Sequence, residues 1–206
     1  MTKPVVLASS SPRRRELLEK TGLQFTVDSS ETDERLDSTS GPVELARSIS
    51  SMKASSVVPK HPDSIIIAAD TLGVLDGRLL GKPDDAAHAR EMLTLMSGKC
   101  HEVITGFTII DAESGKTVSH VVKTRVYFKA LSKAQIEKYV ATGEPLGKAG
   151  AYAIQGKGAD LVEKIEGDYY NVIGLPVHAL AKELKKFGID LPNASHFDRA
   201  ADSPAR

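Results

Sequence analysis

At 206 residues, with 27 basic and 27 acidic side chains, the chain is long enough to bury one sizeable α/β core, and its balanced charge sets up no global field for nucleic acid or an anionic membrane. The single cysteine, Cys100, excludes an intramolecular disulfide and points to a reducing compartment. No apolar run reaches the about 18 residues of a membrane span, and the run at the start is too short for a signal-peptide core. The expectation is a cytoplasmic protein with no membrane or nucleic-acid partner.

The opening "PVVLAS" reads as a short buried strand, after which Ser11-Pro12 starts a helix with serine as N-cap and proline at the first helical position. Leu17, Leu18 and Thr21 give this helix an inward face, and Gly22 ends it. "QFTVDS" is a second strand, followed by the acidic turn "ETDERLD". Gly41-Pro42 begins another helix, with Leu45, Ile49 and Met52 along one side. The continuous apolar run in "SIIIAADT" predicts a central strand covered on both faces that delivers Asp70 and Thr71 at its C-terminal end.

Asp76-Gly77 is a hairpin signal, and regular pairing across it matches 75 with 78, 73 with 80 and 71 with 82. Lys82 is thereby expected level with Thr71, beside Asp70, although alternation alone puts Lys82 and Asp70 on opposite faces. Asp84 or Asp85 caps a helix carrying Ala89, Met92, Leu93 and Met96 at helical spacing. "HEVITGFTII" and "TVSHVVKTRVYFKA" predict a strand pair around "ESGK". Ser132 with Gln135 is a capping box for a helix ending before Gly143. A glycine-rich stretch, "GEPLGKAGAYAIQGKG", follows. The last helix runs from about Pro176 to Phe187, and residues 189–206 are expected to be a flexible tail after a single domain over 1–188.

Several candidate sites fall on these elements. "SGKT" at 114–117 lacks the glycine that a P-loop needs at position 110 and precedes a strand, so it is a turn. Cys100-His101 lacks the spacing of a zinc site. The start of the first helix is different. Unpaired N–H groups, the hydroxyls of Ser9, Ser10 and Ser11, and the guanidinium groups of Arg13 and Arg14 suit a phosphate. Capping alone explains Ser11 and Pro12 equally well. Asp70 either caps a turn or stands where open α/β sheets hold ligands. Asp33 and Glu34 either add oxygen ligands for a metal or form a solvated acidic turn. Lys53 near the apolar face of its helix reads, taken singly, as a stem packed with its head in solvent. "KAGAYAIQG" combines Lys148 and Gln155 with glycines that allow close approach, and it reads equally as a system of turns.

Six stretches in register resemble the Maf family of nucleotide pyrophosphatases: "LASSSPRRRELL", "KA" at 53–54, "AADT" at 68–71, "GKP" at 81–83, "GKAGAYAIQG" at 147–156 and "VIGLP" at 172–176. The resemblance covers about residues 4 to 187. It implies an α/β fold akin to the inosine-triphosphate pyrophosphatases, with a mixed central sheet and flanking helices in two lobes around a cleft, and often a homodimer. It implies hydrolysis of nucleoside triphosphates to a monophosphate and pyrophosphate, helped by Mg²⁺ or Mn²⁺. Carried onto this chain, Asp70, Lys82 and Lys53 are the catalytic set. Ser9, Ser11, Arg13, Arg14, Thr71, Lys148 and Gln155 hold the substrate, and Asp70 with Glu34 holds the metal. "AADT" together with "KAGAYAIQG" is similar to the branch acting on dTTP and UTP. Two rival readings are a nucleotide-sensing regulator of cell division and a house-cleaning pyrophosphatase for non-standard nucleotides.

Overall fold

The computed structural model describes residues 3–29 and 41–197. In chain order they form β1 (Val5–Leu7), α1 (Pro12–Lys20), β2 (Thr26–Val27), α2 (Pro42–Val57), β3 (Ile65–Leu75), β4 (Arg78–Leu80) and α3 (Ala86–Met96). Then come β5 (Cys100–Asp111), β6 (Thr117–Phe128), α4 (Lys133–Val140), β7 (Val162–Glu166), α5 (Tyr169–Ile173) and α6 (Val177–Leu184). All seven strands join one mixed sheet in the order β2-β1-β3-β5-β6-β7, with β4 added on β3. The pairs β2/β1 and β1/β3 are parallel, whereas β3/β5, β5/β6 and β6/β7 are antiparallel.

The isoleucine run makes β3 the spine, as its lack of polar residues requires. Residues 65–69 are buried on both faces because helices cover the sheet on each side. Odd-numbered β3 residues Ile65, Ile67 and Ala69 enter the larger core with Leu17, Leu18, Leu93, Phe107, Leu175 and Leu180. Even-numbered Ile66 and Ala68 pack under Ala54 and Val57 of α2. Along α2 the buried stripe is Leu45, Ala46, Ile49, Ser50, Ala54 and Val57, and Met52 is only half-buried.

Local signals set most of the ends. Ser11 caps α1, Asp85 caps α3, and Ser132 and Gln135 form the reciprocal capping box of α4. Asp76 (φ 50°) and Gly77 (φ 77°) take left-handed conformations at the β3–β4 turn, as a type I′ hairpin demands.

Four expectations need correction. β3 does not stop at Thr71 but continues to Leu75, so Asp70 and Thr71 lie within the strand, opposite Gly106 and Thr105 of β5. The hairpin pairs 75 with 78 and 73 with 80 but ends at Leu80, and Lys82 never pairs with Thr71. β7 and α5 were not foreseen. The segment after Gly188 is not loose throughout: Leu191 and Phe197 are buried, the Asn193 N–H donates to the Thr21 carbonyl (2.9 Å), and Phe197 meets Tyr170 edge-on at 4.7 Å. The acidic turn with Asp33 and Glu34 lies outside the described residues.

Candidate active site

The register leaves an interval on one edge of β3. β1 leaves that edge after Leu7 pairs with Ile67, and β4 joins it only at Gly73. Between them, β3 residues 68–72 have no strand neighbour on that side among the described residues, and the chain leaving β1 turns there into α1. Asp70 and Thr71 sit in this interval and point to opposite faces, as strand alternation requires.

On the α2 face, the Lys53 ammonium donates to Asp70 Oδ1 at 2.7 Å, and each side chain is 12% exposed. A lone Lys53 read as a solvated head is thus superseded by a nearly buried ion pair. The packing of α2 explains its placement. A Cβ at Gly106, the β5 partner of Asp70, would lie 2.3 Å from the Ala46 carbonyl oxygen, so the helix backbone rests directly on the sheet. One turn on, Ser50 shares a buried hydroxyl contact of 2.9 Å with Thr108, which shares another with Ser119. These contacts fix α2 in rotation and height, and Lys53 one turn further meets Asp70.

On the opposite face, Arg14 donates to Ser9 Oγ (3.3 Å), Thr71 Oγ1 (3.1 Å) and the Gly174 carbonyl (3.0 Å). Thr71 and Thr105 share a further hydroxyl contact at 3.0 Å. Gly174 has φ 124°, and a Cβ on it would come within 3.4 Å of Thr71 Oγ1, so this turn approaches the strand closely because it carries no side chain. Arg14 and Thr71 therefore brace the site internally. Ser11 Oγ accepts the Arg14 N–H as a cap, and Ser9 Oγ accepts the Ser11 N–H.

Arg13 is free of hydrogen bonds and ion pairs among the described residues and lines a pocket of about 420 Å³ with Glu16, Glu144, Lys148, Ala153 and Gln155. This brings three of the expected substrate residues, Arg13, Lys148 and Gln155, to one cavity. The wall from Lys148 onward is built by tight turns: Gly150 (φ 75°) and Ala151 (φ 57°) are both left-handed, and the strained Ala151 is fully buried. The Gly150 N–H donates to the Gly81 carbonyl at 3.0 Å, tying this wall to the segment that carries Lys82. Lys82 itself is exposed and makes no hydrogen bond or ion pair with Asp70, contrary to the hairpin expectation, because the ladder ends two residues earlier.

Glu144 was missed from the sequence. Desolvation opposes its ionisation, yet the N–H groups of Gly158 and Lys157, the Tyr139 hydroxyl and the Lys157 charge together hold its carboxyl below the usual range. Burial holds the Tyr139 phenol well above its ordinary value, so it stays a donor. The only signal was an acid at the head of the glycine-rich stretch. Elsewhere on the Arg14 side of the sheet, His101 is buried with Nε2 2.9 Å from the Tyr152 hydroxyl and Nδ1 unpartnered, and desolvation lowers its pKa from 6.5 to about 4.

A dTTP/UTP pyrophosphatase of Bacillus cytotoxicus is 49% identical over 185 residues, spanning 90% of this chain and 96% of the relative. One of Bacillus cereus is 47% identical over 192 residues, spanning 93% and 94%. Among solved structures, a HAM1 protein from Coxiella burnetii shares the fold, with a TM-score of 0.50 at 14% identity over 90% of this chain and 100% of that one. The family model described as Maf-like protein matches residues 4–187, which takes in β1, the Lys53–Asp70 pair, the pocket wall and α6, and the chain belongs to the Maf family.

Proposed function

We propose that the chain hydrolyses dTTP and UTP to the monophosphate and pyrophosphate. The observation that carries this reading is the Lys53–Asp70 pair at the open edge of β3, one residue along from the Arg14-braced Thr71. The names of the two Bacillus relatives support the same substrates.

Hydrolysis breaks the α–β phosphoanhydride bond: a water oxygen bonds to phosphorus, the water gives up a proton, and pyrophosphate leaves. Lys53 occupies Asp70 Oδ1, and Oδ2 has no hydrogen bond among the described residues, so Oδ2 is the atom to take that proton. Arg13, Lys148 and Lys82 balance the charge spreading over the phosphate oxygens, and the start of α1 with Ser9 and Ser11 adds donors. Arg14 and Thr71 hold Ser9 and β3 in place. Gln155, whose amide both donates and accepts, meets the pyrimidine edge or a phosphate.

A divalent cation, Mg²⁺ or Mn²⁺, fits this donor set. No three His, Cys, Asp or Glu side chains converge among the described residues, and magnesium is commonly held by one or two carboxylates plus substrate phosphates and water. Asp70 would hold it, joined by Glu34, which lies outside the described residues, and the ion would neutralise phosphate charge.

Product analysis tests the reading. UMP or dTMP plus pyrophosphate is expected, with kcat/KM for dTTP and UTP about 10-fold or more above that for ATP or GTP. Formation of UDP and orthophosphate, or no turnover with Mg²⁺ or Mn²⁺ present, overturns it.

A further inference from the structure

Among the side chains lining the pocket with Arg13, Glu144 is the acid whose carboxylate is taken up by main-chain N–H groups, whereas Glu16 pairs with Lys20 along α1. Its Oε1 accepts from the Tyr139 hydroxyl and the Gly158 N–H, both at 2.9 Å, and its Oε2 accepts from the Lys157 N–H at 3.1 Å. The Tyr139 oxygen in turn accepts the Ala153 N–H at 3.2 Å. One carboxylate and one phenol thus take up main-chain donors on both sides of Gln155-Gly156. The glycines are shaped around them. Gly156 has φ 137°, and a Cβ there would stand 2.7 Å from Glu144 Oε2. A Cβ on Gly158 would stand 2.8 Å from the Tyr139 oxygen.

All three partners of the carboxylate donate. An amide of the same shape would set its NH₂ group against an N–H or the phenol, so the site calls for an anion. In a pocket whose other charges include Arg13 and Lys148, a carboxylate would by itself repel phosphates, and the donors aimed at it offset that repulsion.

We propose that Glu144 is the positioning residue of the nucleotide pocket: braced by Tyr139, its carboxylate holds the 153–158 turn in the conformation that presents Gln155 to the cavity shared with Arg13 and Lys148. Glu144 touches no reacting atom in this role. It acts through the turn, and its effect on nucleotides rests on the pyrophosphatase reading above.

Two measurements on the full chain test this. In the nucleotide-free protein, amide exchange at Lys157 and Gly158 is expected to speed up at least about 10-fold in Glu144→Gln relative to the amides of β3, the scale of losing a hydrogen bond to a charged group. In steady-state hydrolysis of UTP, Glu144→Gln should raise KM about 10-fold or more while lowering kcat by a smaller factor, because binding geometry rather than chemistry is disturbed. A merely architectural acid would lower the folded fraction without changing KM of the molecules that remain folded. Tyr139→Phe, which keeps the carboxylate, should shift KM and exchange in the same direction by less, and it decides the matter if Glu144→Gln does not fold. Unchanged exchange, or faster exchange with KM within about 2-fold of the parent, overturns the proposal. If the parent protein is inert toward dTTP and UTP, the functional reading falls, and the exchange result still decides whether Glu144 holds the turn.

Discussion

Asp70 and Thr71 are neighbours in one strand, yet they belong to two different chemistries. On the side of Asp70 a full positive and a full negative charge meet at 2.7 Å under α2. On the side of Thr71 one guanidinium is distributed over two hydroxyls and a carbonyl contributed by three separate stretches of chain. The first arrangement engages Oδ1 and leaves Oδ2 without a hydrogen bond among the described residues. The second offers its acceptors to Arg14 and so fixes the start of α1, β3 and the Gly174 turn to one another. The lesson is that charge alone does not distinguish a bracing group from one with an atom to spare. Arg14 is charged and braces, whereas Asp70 is charged and has an uncommitted atom.

The contrast is broken most severely at Asp70. Asp70→Asn keeps the size but removes the charge that pairs with Lys53 and that, in the proposed reaction, receives a proton, and hydrolysis should fall by about 10²–10⁴-fold, read as kcat, with far-UV circular dichroism unchanged. Near-parental turnover would place Asp70 with the braces.

A smaller effect sharpens the other face, where His101 lies on the same side of β5 as Thr105. Its pKa is depressed by burial to about 4, below the 6.5 of an unfolded histidine, so between these values the unfolded chain binds the extra proton and the native chain does not. The stability present above pH 6.5 should decline as pH falls toward 4, by up to about 3 kcal/mol, and His101→Gln should flatten that slope in denaturant titrations. An identical slope in the variant would refute the assignment.

The smallest effect is expected at Thr71. Thr71→Val removes the hydroxyl that meets Arg14 and Thr105, which should cost about 1 kcal/mol in urea melts, and activity should drop less than about 10-fold. A loss as large as that of Asp70→Asn would mean that Thr71 touches substrate.

What the sequence made legible follows interactions that are short-range or periodic. The Ser132–Gln135 box, the Asp76-Gly77 turn and the apolar spacing of α3 each lie within a few residues and formed as expected. β7 escaped because "VEKIE" buries only Val162 fully and is otherwise charged or half-exposed, and α5 has five residues, too few to show a period. The site was readable as a set of residue types, and its pairing was not. Lys53 and Asp70 are 17 residues apart and meet because α2 rests on Gly106, a contact that requires knowing which helix covers which strand. Lys82 was placed by extending a two-stranded ladder past the point where it ends. Glu144 was invisible because its partners are mostly main-chain N–H groups 13 and 14 residues away.

The seating of α2 on Gly106 has a mechanical consequence. Where helices and sheets are usually separated by interdigitated side chains, a layer that can shift by rotamer changes, here main chain bears on main chain and leaves no compliant material between Ala46 and the strand opposite Asp70. Helix and sheet therefore move as one plate beneath the charged pair. The pocket wall from Lys148 to Gly158 is fastened by other means, through the Glu144 carboxylate, the Tyr139 hydroxyl and the Gly150 N–H on the Gly81 carbonyl, so its position is set by hydrogen bonds that a single substitution can remove rather than by backbone contact.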